Sequence, residues 1–358
     1  MSLPRIRVLV PGTGTRFRCG GLSVALQSAR LLARLRPTDV VTYRQRQADH
    51  AFLDDLLQSE ALPEDSLWLV SWGFDVPALL RRLRGRPAVY QAHSSGYGFE
   101  LPPGVPVVAV SRNTLGYWGD RAPRNPLFLV PNALEPHWLT RGARPRAPGS
   151  VRSRRPIDVL VQKRKSSPYV LEHLVPALRE RGLTVEVQSG WVDDLVDLFN
   201  SASIYLYDTA EYWRGRGVSE GFGLPPLEAL ACGCVVFSSF NHALADSLTP
   251  GVTAHQIGQG SLENDVLRIS AAAADPEHWG LEVALLDVLL EDVSETVWLQ
   301  RWQATLNQLD ALAERGALGL NPSGSLTSPS TRRLRWGQRG ERLRNKMVNR
   351  LPGWLMPR

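Results

Sequence analysis

Glu220 and Glu228 stand eight residues apart around a glycine-rich loop, in the string SEGFGLPPLEALACGCVVFSS over residues 219–239. An ionised carboxylate offers only acceptors, so two of them reaching one ligand suit paired sugar hydroxyls, as the acidic residue of dinucleotide folds suits a ribose. Gly221 and Gly223 let main-chain amides approach a ligand closely. Pro225 and Pro226 pre-set φ for a first helical turn, so the spacing predicts a short helix from about Leu224 with Glu228 in its first turn. Orphan amides and the positive end of that helix, facing the GFG loop, suit a phosphate, and a carboxylate beside them is expected to stay ionised. Gly233 closes the helix, and Cys234–Ser238 reads as a buried strand. Singly, Glu228 also reads as a helix-dipole partner and Glu220 as a solvated loop residue; together the string outlines a nucleoside-diphosphate-sugar site.

The string EGFGLPPLEALACG resembles the signature of retaining glycosyltransferases of family 4, the group 1 glycosyl transferases, and the similarity extends more weakly from residue 5 to about 310. The resemblance implies the GT-B fold, an α/β arrangement of two facing Rossmann-like doubly wound domains. It implies that Glu220 contacts the donor sugar, that Glu228 holds the nucleotide ribose, and that amides of Gly221, Phe222 and Gly223 lie near sugar and diphosphate. By the same resemblance, Gly20 and Gly21 lie near donor phosphate and acceptor, and His93 lies near the donor sugar and the attacking oxygen. On their own, Gly20–Gly21 read equally as a tight turn, and His93 as a loop histidine.

These residues need a frame, and the chain supplies one twice. At 358 residues and 43% apolar content it can bury two cores of ordinary size. Residues 1–135 alternate short aliphatic runs with amphipathic segments: strands are expected at Ile6–Val10, Val40–Tyr43, Leu67–Ser71, Ala88–Gln91, Val107–Val110 and Leu127–Val130, with a crossover helix at Leu22–Leu35. The loop Pro11–Gly21 and His93 fall at carboxyl ends of strands, where open α/β sheets bind ligands. Ser111 is placed to cap a helix. Residues 136–156, rich in Pro, Gly, Ser and Arg, read as the interdomain link.

The second domain, 157–316, restarts with strand Ile157–Gln162 and the basic turn Lys163-Arg164-Lys165, ahead of a helix from about Ser167. Two or more of these cations can clamp a diphosphate, or the turn is simply solvated. The resembled family has Gly-Arg here and a later lysine, so which of Lys163, Arg164 and Lys165 meets phosphate stays open. Strands Thr184–Gln188 and Ser203–Tyr207 follow, with a helix at Val192–Asn200 between them. The insert DTAEYWRGRGVS brings Tyr212, Trp213, Arg214 and Arg216, either to an acceptor sugar or lipid phosphate or onto the domain surface. Helices are expected at Leu262–Ala273, Pro276–Leu290 and Val297–Arg315, the last crossing back to the first domain by resemblance.

No apolar run approaches the ~20 residues that span a bilayer, and MSLPRIRVLVPG enters a strand with no signal-peptide core, so a cytoplasmic protein is expected. Cys19, Cys232 and Cys234 read as reduced, structural thiols. Nine of the 41 basic residues and one of the 35 acidic ones fall in 331–358; that tail is +8 and the remaining chain −2. The basic balance therefore belongs to the tail and does not make the body a nucleic-acid binder. The sum of these readings is an enzyme that transfers a sugar from a nucleoside-diphosphate sugar to a sugar or lipid-linked hydroxyl acceptor, in polysaccharide, glycolipid or other glycoconjugate synthesis. Retention follows from the resemblance. No cofactor and no metal are expected, because the chain contains no Asp-x-Asp and offers a helix start and a basic turn instead. A sugar-nucleotide epimerase of the same fold and a non-catalytic, membrane-attached sensor are the other readings.

Residues 317–358 divide into a linker and a basic tail, in which Leu343, Met347 and Leu351 share one helical side and Trp336 lies a heptad earlier. Such a segment suits an anionic membrane surface; a disordered polyanion-binding tail is the other reading. Truncation after Thr331 is expected to leave soluble-acceptor activity intact and to abolish sedimentation with anionic vesicles, where each cation contributes about 1 kcal/mol. Equal sedimentation of the truncated protein would remove the membrane reading.

Overall fold

The computed structural model describes residues 5–59, 66–147 and 154–315. The linker and tail expected over 317–358 lie outside the described residues, as do positions 148–153 of the expected link.

The first domain holds strands β1 (Arg5–Val10), β2 (Thr38–Thr42), β3 (Ala51–Phe52), β4 (Ser66–Val70), β5 (Ala88–Ala92), β6 (Val107–Ala109) and β7 (Leu127–Leu129). They form one parallel sheet in the order β3-β2-β1-β4-β5-β6-β7. Helices α1 (Gly20–Leu32), α2 (Leu53–Gln58), α3 (Val76–Arg82), α4 (Arg112–Arg121) and α5 (Pro136–Arg141) connect or follow them. In the second domain, β8 (Ile157–Gln162), β9 (Val185–Gln188), β10 (Ala202–Tyr207), β11 (Val235–Ser238) and β12 (His255–Gln256) form a parallel sheet in the order β12-β11-β10-β8-β9. Its helices are α6 (Val175–Glu180), α7 (Leu195–Asn200), α8 (Ala210–Arg214), α9 (Leu224–Ala231), α10 (Leu262–Ala274), α11 (Pro276–Trp279), α12 (Val283–Asp292) and α13 (Glu295–Glu314).

Both sheets are buried on two faces, which is why their strands read as aliphatic runs. Each strand sends alternate residues to opposite cores: Val159 and Val161 of β8 meet α10, while Leu160 between them meets α7 and α9. The short pairs β3 and β12 escaped the sequence because two residues carry no periodicity. Two helices also differ from expectation. The helix after the basic turn opens with a π-helical segment, Tyr169–Leu174. Pro176 has no N–H to return to the carbonyl four residues back, and the wider turn absorbs the mismatch. The single helix expected over 276–290 is two: the Asp275 side chain caps α11, and the chain turns out at Gly280 before α12.

Residues 136–147 are no loose link. Trp138 of α5 is buried edge-on against Phe199 in the second domain's core, and Arg155 ties the segment down by donating to the carbonyls of Ala143, Ala202 and Cys232. In the other direction, α13 returns to the first sheet. Its Trp298, Trp302, Leu306 and Leu309 pack with Ile6, Val8 and the inner face of α1, and Glu295 and Asp310 pair with Arg30 and Arg36. Ser294 caps this helix by accepting from the Val297 amide. Trp302 is fully buried, so Trp302→Ala is expected to cost about 3–5 kcal/mol of stability, read as a lowered urea midpoint. An unchanged midpoint would mean that α13 does not hold the first sheet.

Candidate functional site

In the second sheet the strand order reverses beside β8, whose neighbours are β9 and β10, and ligands of open α/β sheets bind in the crevice at such a reversal. The basic turn leaves the carboxyl end of β8, and the segment to the glycine loop leaves that of β10. They meet at Glu220, whose side chain is almost fully buried. Its Oε2 accepts from the Tyr207 hydroxyl at 2.8 Å, the Trp213 indole N–H at 2.7 Å and the Thr209 hydroxyl at 3.3 Å. Its Oε1 faces the Lys165 ammonium at 3.8 Å, and that ammonium also lies 4.7 Å from the Trp213 ring centre. The Glu220 amide donates to Nδ1 of His242 at 3.3 Å, which makes that nitrogen an acceptor. Lys165 (φ 76°) and His242 (φ 53°) are the two non-glycine residues with positive φ among the described residues, and both touch Glu220. Backbone held in that region costs of order 1–3 kcal/mol each, and it is tolerated where surrounding contacts over-determine it.

Of the three cations in the turn, the fold therefore brings Lys165 to the site and leaves Lys163 and Arg164 exposed. Gln162, standing where the resembled family has glycine, accepts the hydroxyl of the buried Tyr205 at 2.8 Å.

Glu228 lies one turn further into α9 than the first turn expected for it, since the helix starts at Leu224. It keeps some exposure at the cleft, yet desolvation pushes its pKa up to about 8; the Glu135 carboxylate adds to the rise and Lys165 opposes it. The expectation that this carboxylate stays ionised is thus corrected: burial favours its protonated form. Glu228 is the fifth residue of α9, past the first turn in which a helix end favours a carboxylate, and Pro225 and Pro226 carry no N–H there. Glu220 and Glu228 both act electrostatically on Tyr205 and on Tyr207, and both feel Lys165, so the fold brings the two carboxylates around one cation.

Gly223 caps α9 at φ 89°. At the other end Gly233, at φ 76°, closes a Schellman motif: its amide donates to the Leu230 carbonyl and that of Cys234 to Ala229, both at 2.9 Å. The Phe222 side chain is buried in the core, so only its main chain faces the loop's outer side. Gly221 lies against the other domain: a Cβ built on it would sit 1.6 Å from the His93 carbonyl oxygen. Next to that contact, Ser94, Ser95 and Asn113 of the first domain converge on the Ser219 hydroxyl, and the Ser94 hydroxyl donates to the Ser219 carbonyl at 2.7 Å.

The His93 side chain is partly buried in this junction. Its Nε2 is buried without a partner, and desolvation lowers its pKa to about 4, so it is a neutral imidazole at physiological pH. Gly20 and Gly21 form the first turn of α1 rather than a loop ahead of it; both are exposed, and the Cys19 N-cap makes no side-chain bond to their amides. Arg18, in the loop ahead of α1, lies over the ring of Trp191 from the second domain, 5.5 Å from its centre. The structure gives Gly20 and Gly21 no contact with Glu220 or Glu228.

Sequence reasoning missed Tyr207, Thr209, Ser219, Glu135 and His242 as parts of the site. A signal existed for the tyrosines: Tyr205 and Tyr207 share one face of an otherwise aliphatic buried strand, where a hydroxyl needs a partner. A separate cavity of about 450 Å³ lies at the amino ends of β8 and β10, near Arg154, Asp158 and Asp275. Of its carboxylates, Asp158 accepts from the Thr184 amide and Asp275 from the His278 amide.

No protein-family model matches the chain, and no curated protein matches it by sequence. Solved structures do. The sucrose-phosphate synthase of Thermosynechococcus elongatus is 15% identical with a TM-score of 0.61, the match covering 86% of this chain and 99% of that one. A glycosyltransferase from Rickettsia africae is 12% identical with a TM-score of 0.62, over 85% and 98%. Anabaena HepE, solved in complex with UDP and glucose, is 14% identical with a TM-score of 0.56, over 85% and 99%. With these neighbours the two facing parallel-sheet domains define the GT-B fold.

The ionisation of Glu228 has a sign that can be tested. Its pKa rises on folding from 4.5 to about 8, so the stability it contributes is fully present below pH 4.5 and is lost as pH climbs through 8. Glu228→Gln is expected to melt with the wild type at pH 5 and above it at pH 9, in ligand-free thermal scans. Equal melting temperatures at pH 9 would show that the carboxylate is not desolvated.

Proposed function

We propose that this protein is a retaining, metal-independent glycosyltransferase that moves a sugar from a nucleoside-diphosphate donor to a hydroxyl of a sugar or lipid-linked acceptor. The observation that carries the reading is the convergence of Glu220, Glu228 and Lys165 at the carboxyl ends of β8 and β10. The names of structural neighbours support a nucleotide sugar as donor: HepE is described in complex with UDP-glucose, and WaaB as a lipopolysaccharide outer core galactosyltransferase.

In this reading Glu228 accepts the ribose hydroxyls, which favours its ionised form and expels the proton that burial leaves on it. Glu220 accepts from a hydroxyl of the donor sugar. Lys165 meets the diphosphate together with loop amides of Gly221, Phe222 and Gly223, with Lys163, Arg164 and the α1 start at Gly20–Gly21 on the periphery. The bond between the anomeric carbon and the phosphate oxygen breaks with its electron pair leaving on phosphate. The acceptor oxygen bonds the same carbon from the same face, and its proton passes to the departing phosphate. His93, neutral and with a free ring nitrogen, orients sugar or acceptor by hydrogen bonding rather than by charge. Positive charge and fixed amides then stabilise the leaving group without a metal. The basic tail at 331–358 would hold the enzyme peripherally at an anionic membrane.

Release of nucleoside diphosphate only when acceptor is present tests the reaction and separates it from epimerisation. Chelator is expected to leave most of that rate; full inhibition reversed by Mg²⁺ or Mn²⁺ would refute metal independence. Glu228→Ala is expected to weaken nucleoside-diphosphate binding by about 1.5–3 kcal/mol. Glu220→Gln, which keeps the side-chain shape, is expected to lower turnover while nucleoside diphosphate still binds. Equal loss of nucleotide affinity in both variants, measured by calorimetry, would undo the assignment of roles.

A further inference from the structure

A carboxylate that reads a sugar hydroxyl must keep one oxygen free and hold it in one direction. In Glu220 the two oxygens are treated differently. Oε2 is saturated by three protein donors, from Tyr207, Thr209 and Trp213, whereas Oε1 faces the Lys165 ammonium at 3.8 Å, beyond hydrogen-bond distance. Tyr207 belongs to β10 itself and Thr209 follows it closely, so both are fixed by the sheet. Trp213 is different: it sits on α8, a single turn inside the insert 208–219. Its N–H makes the shortest of the three bonds to Oε2 and has no acceptor capacity, so it cannot be satisfied by turning over.

The rest of the insert presses Trp213 into place. Tyr212 packs edge-on against it at 5.0 Å, Arg216 stacks on Tyr212 at 3.4 Å, and Gly96 of the first domain approaches the Gly217 carbonyl so closely that a Cβ would come within 2.1 Å of it. The face of the indole forms the far wall of the space that holds the Lys165 ammonium.

We propose that Trp213 is a positioning residue for Glu220: its indole N–H pins Oε2, so that Oε1 alone is presented to one hydroxyl of the donor sugar when Lys165 is drawn to the diphosphate. The inference rests on the nucleotide-sugar reading given above and names what sets its sugar selectivity. One pinned acceptor discriminates the configuration of a single ring hydroxyl, because an epimer leaves Oε1 unpaired in a dry site. A carboxylate free to rotate would accept from either position. Lys165 in turn couples the two halves of the donor, since it leaves Oε1 only for the diphosphate charge.

The test uses the full-length protein and a panel of UDP-, GDP- and ADP-linked glucose, galactose and mannose, with each nucleoside diphosphate alone. Trp213→Phe keeps the aromatic wall and deletes the N–H. It is expected to bind nucleoside diphosphate within about twofold of wild type, to lose about 10- to 100-fold in kcat, and to prefer its best sugar over the other sugars of the panel much less strongly. In Trp213→His the ring Nε2 stands the same four bonds from Cα as the indole nitrogen, and it is expected to recover part of both losses. Unchanged kcat and sugar preference in Trp213→Phe would overturn the proposal, as would nucleoside-diphosphate affinity and melting temperature falling together with activity, the mark of a merely structural tryptophan. A wild type that binds none of the panel would instead overturn the nucleotide-sugar reading, and this inference with it.

Discussion

Burying a carboxylate is the constraint around which the second domain's working end is arranged. Glu220 is 5% exposed, and an uncompensated charge at that depth costs several kcal/mol. Its compensation comes from separate segments: Tyr207 from a strand, Thr209 and Trp213 from an insert, and Lys165 from the turn after another strand, while His242, from the segment after β11, accepts from the Glu220 amide. Apart from the strand that carries Tyr207, these are connections between elements, with little core of their own. The charge they share gives them a reason to converge, and the positive φ of Lys165 and His242 is the local strain that convergence requires.

The same few residues form the junction between domains. Ser219 and Gly221 flank Glu220 on either side, one gathering three first-domain side chains and the other lying against the His93 carbonyl. These contacts are polar, and beside them Val110 of the first domain shares a buried apolar cluster with Phe222 and Leu244. The permanent connection is elsewhere, where α13 buries two tryptophans against the first sheet and the Leu134 amide donates to the Val293 carbonyl. Any group that changes Glu220 is therefore felt in the interdomain contact as well.

Around the pinned Glu220, two other groups are left electrostatically unsatisfied. Glu228 is raised to a pKa of about 8 and His93 lowered to about 4, each by desolvation. Both are therefore poised to gain from a polar partner, the carboxylate from donors that favour its ionised form and the imidazole from one hydrogen bond at Nε2.

The local chemistry of the loop was legible without coordinates. Gly221 and Gly223, Pro225 and Pro226, and Gly233 dictated a loop, a helix start and a helix stop, because φ restrictions act within a few residues; the aliphatic runs located the main strands for the same reason. The eight-residue spacing also led to the expectation that Glu220 and Glu228 share one site, and the fold sets both within reach of Lys165. What the chain order could not say is which cation of Lys163, Arg164 and Lys165 turns inward, that Trp213 donates to Glu220 rather than lying on the surface, or that Glu228 is held largely protonated. Nor could it join Ser94 to Ser219, 125 residues apart. Those outcomes depend on burial and on distances between segments remote in sequence, and such quantities exist only once two sheets have folded and met.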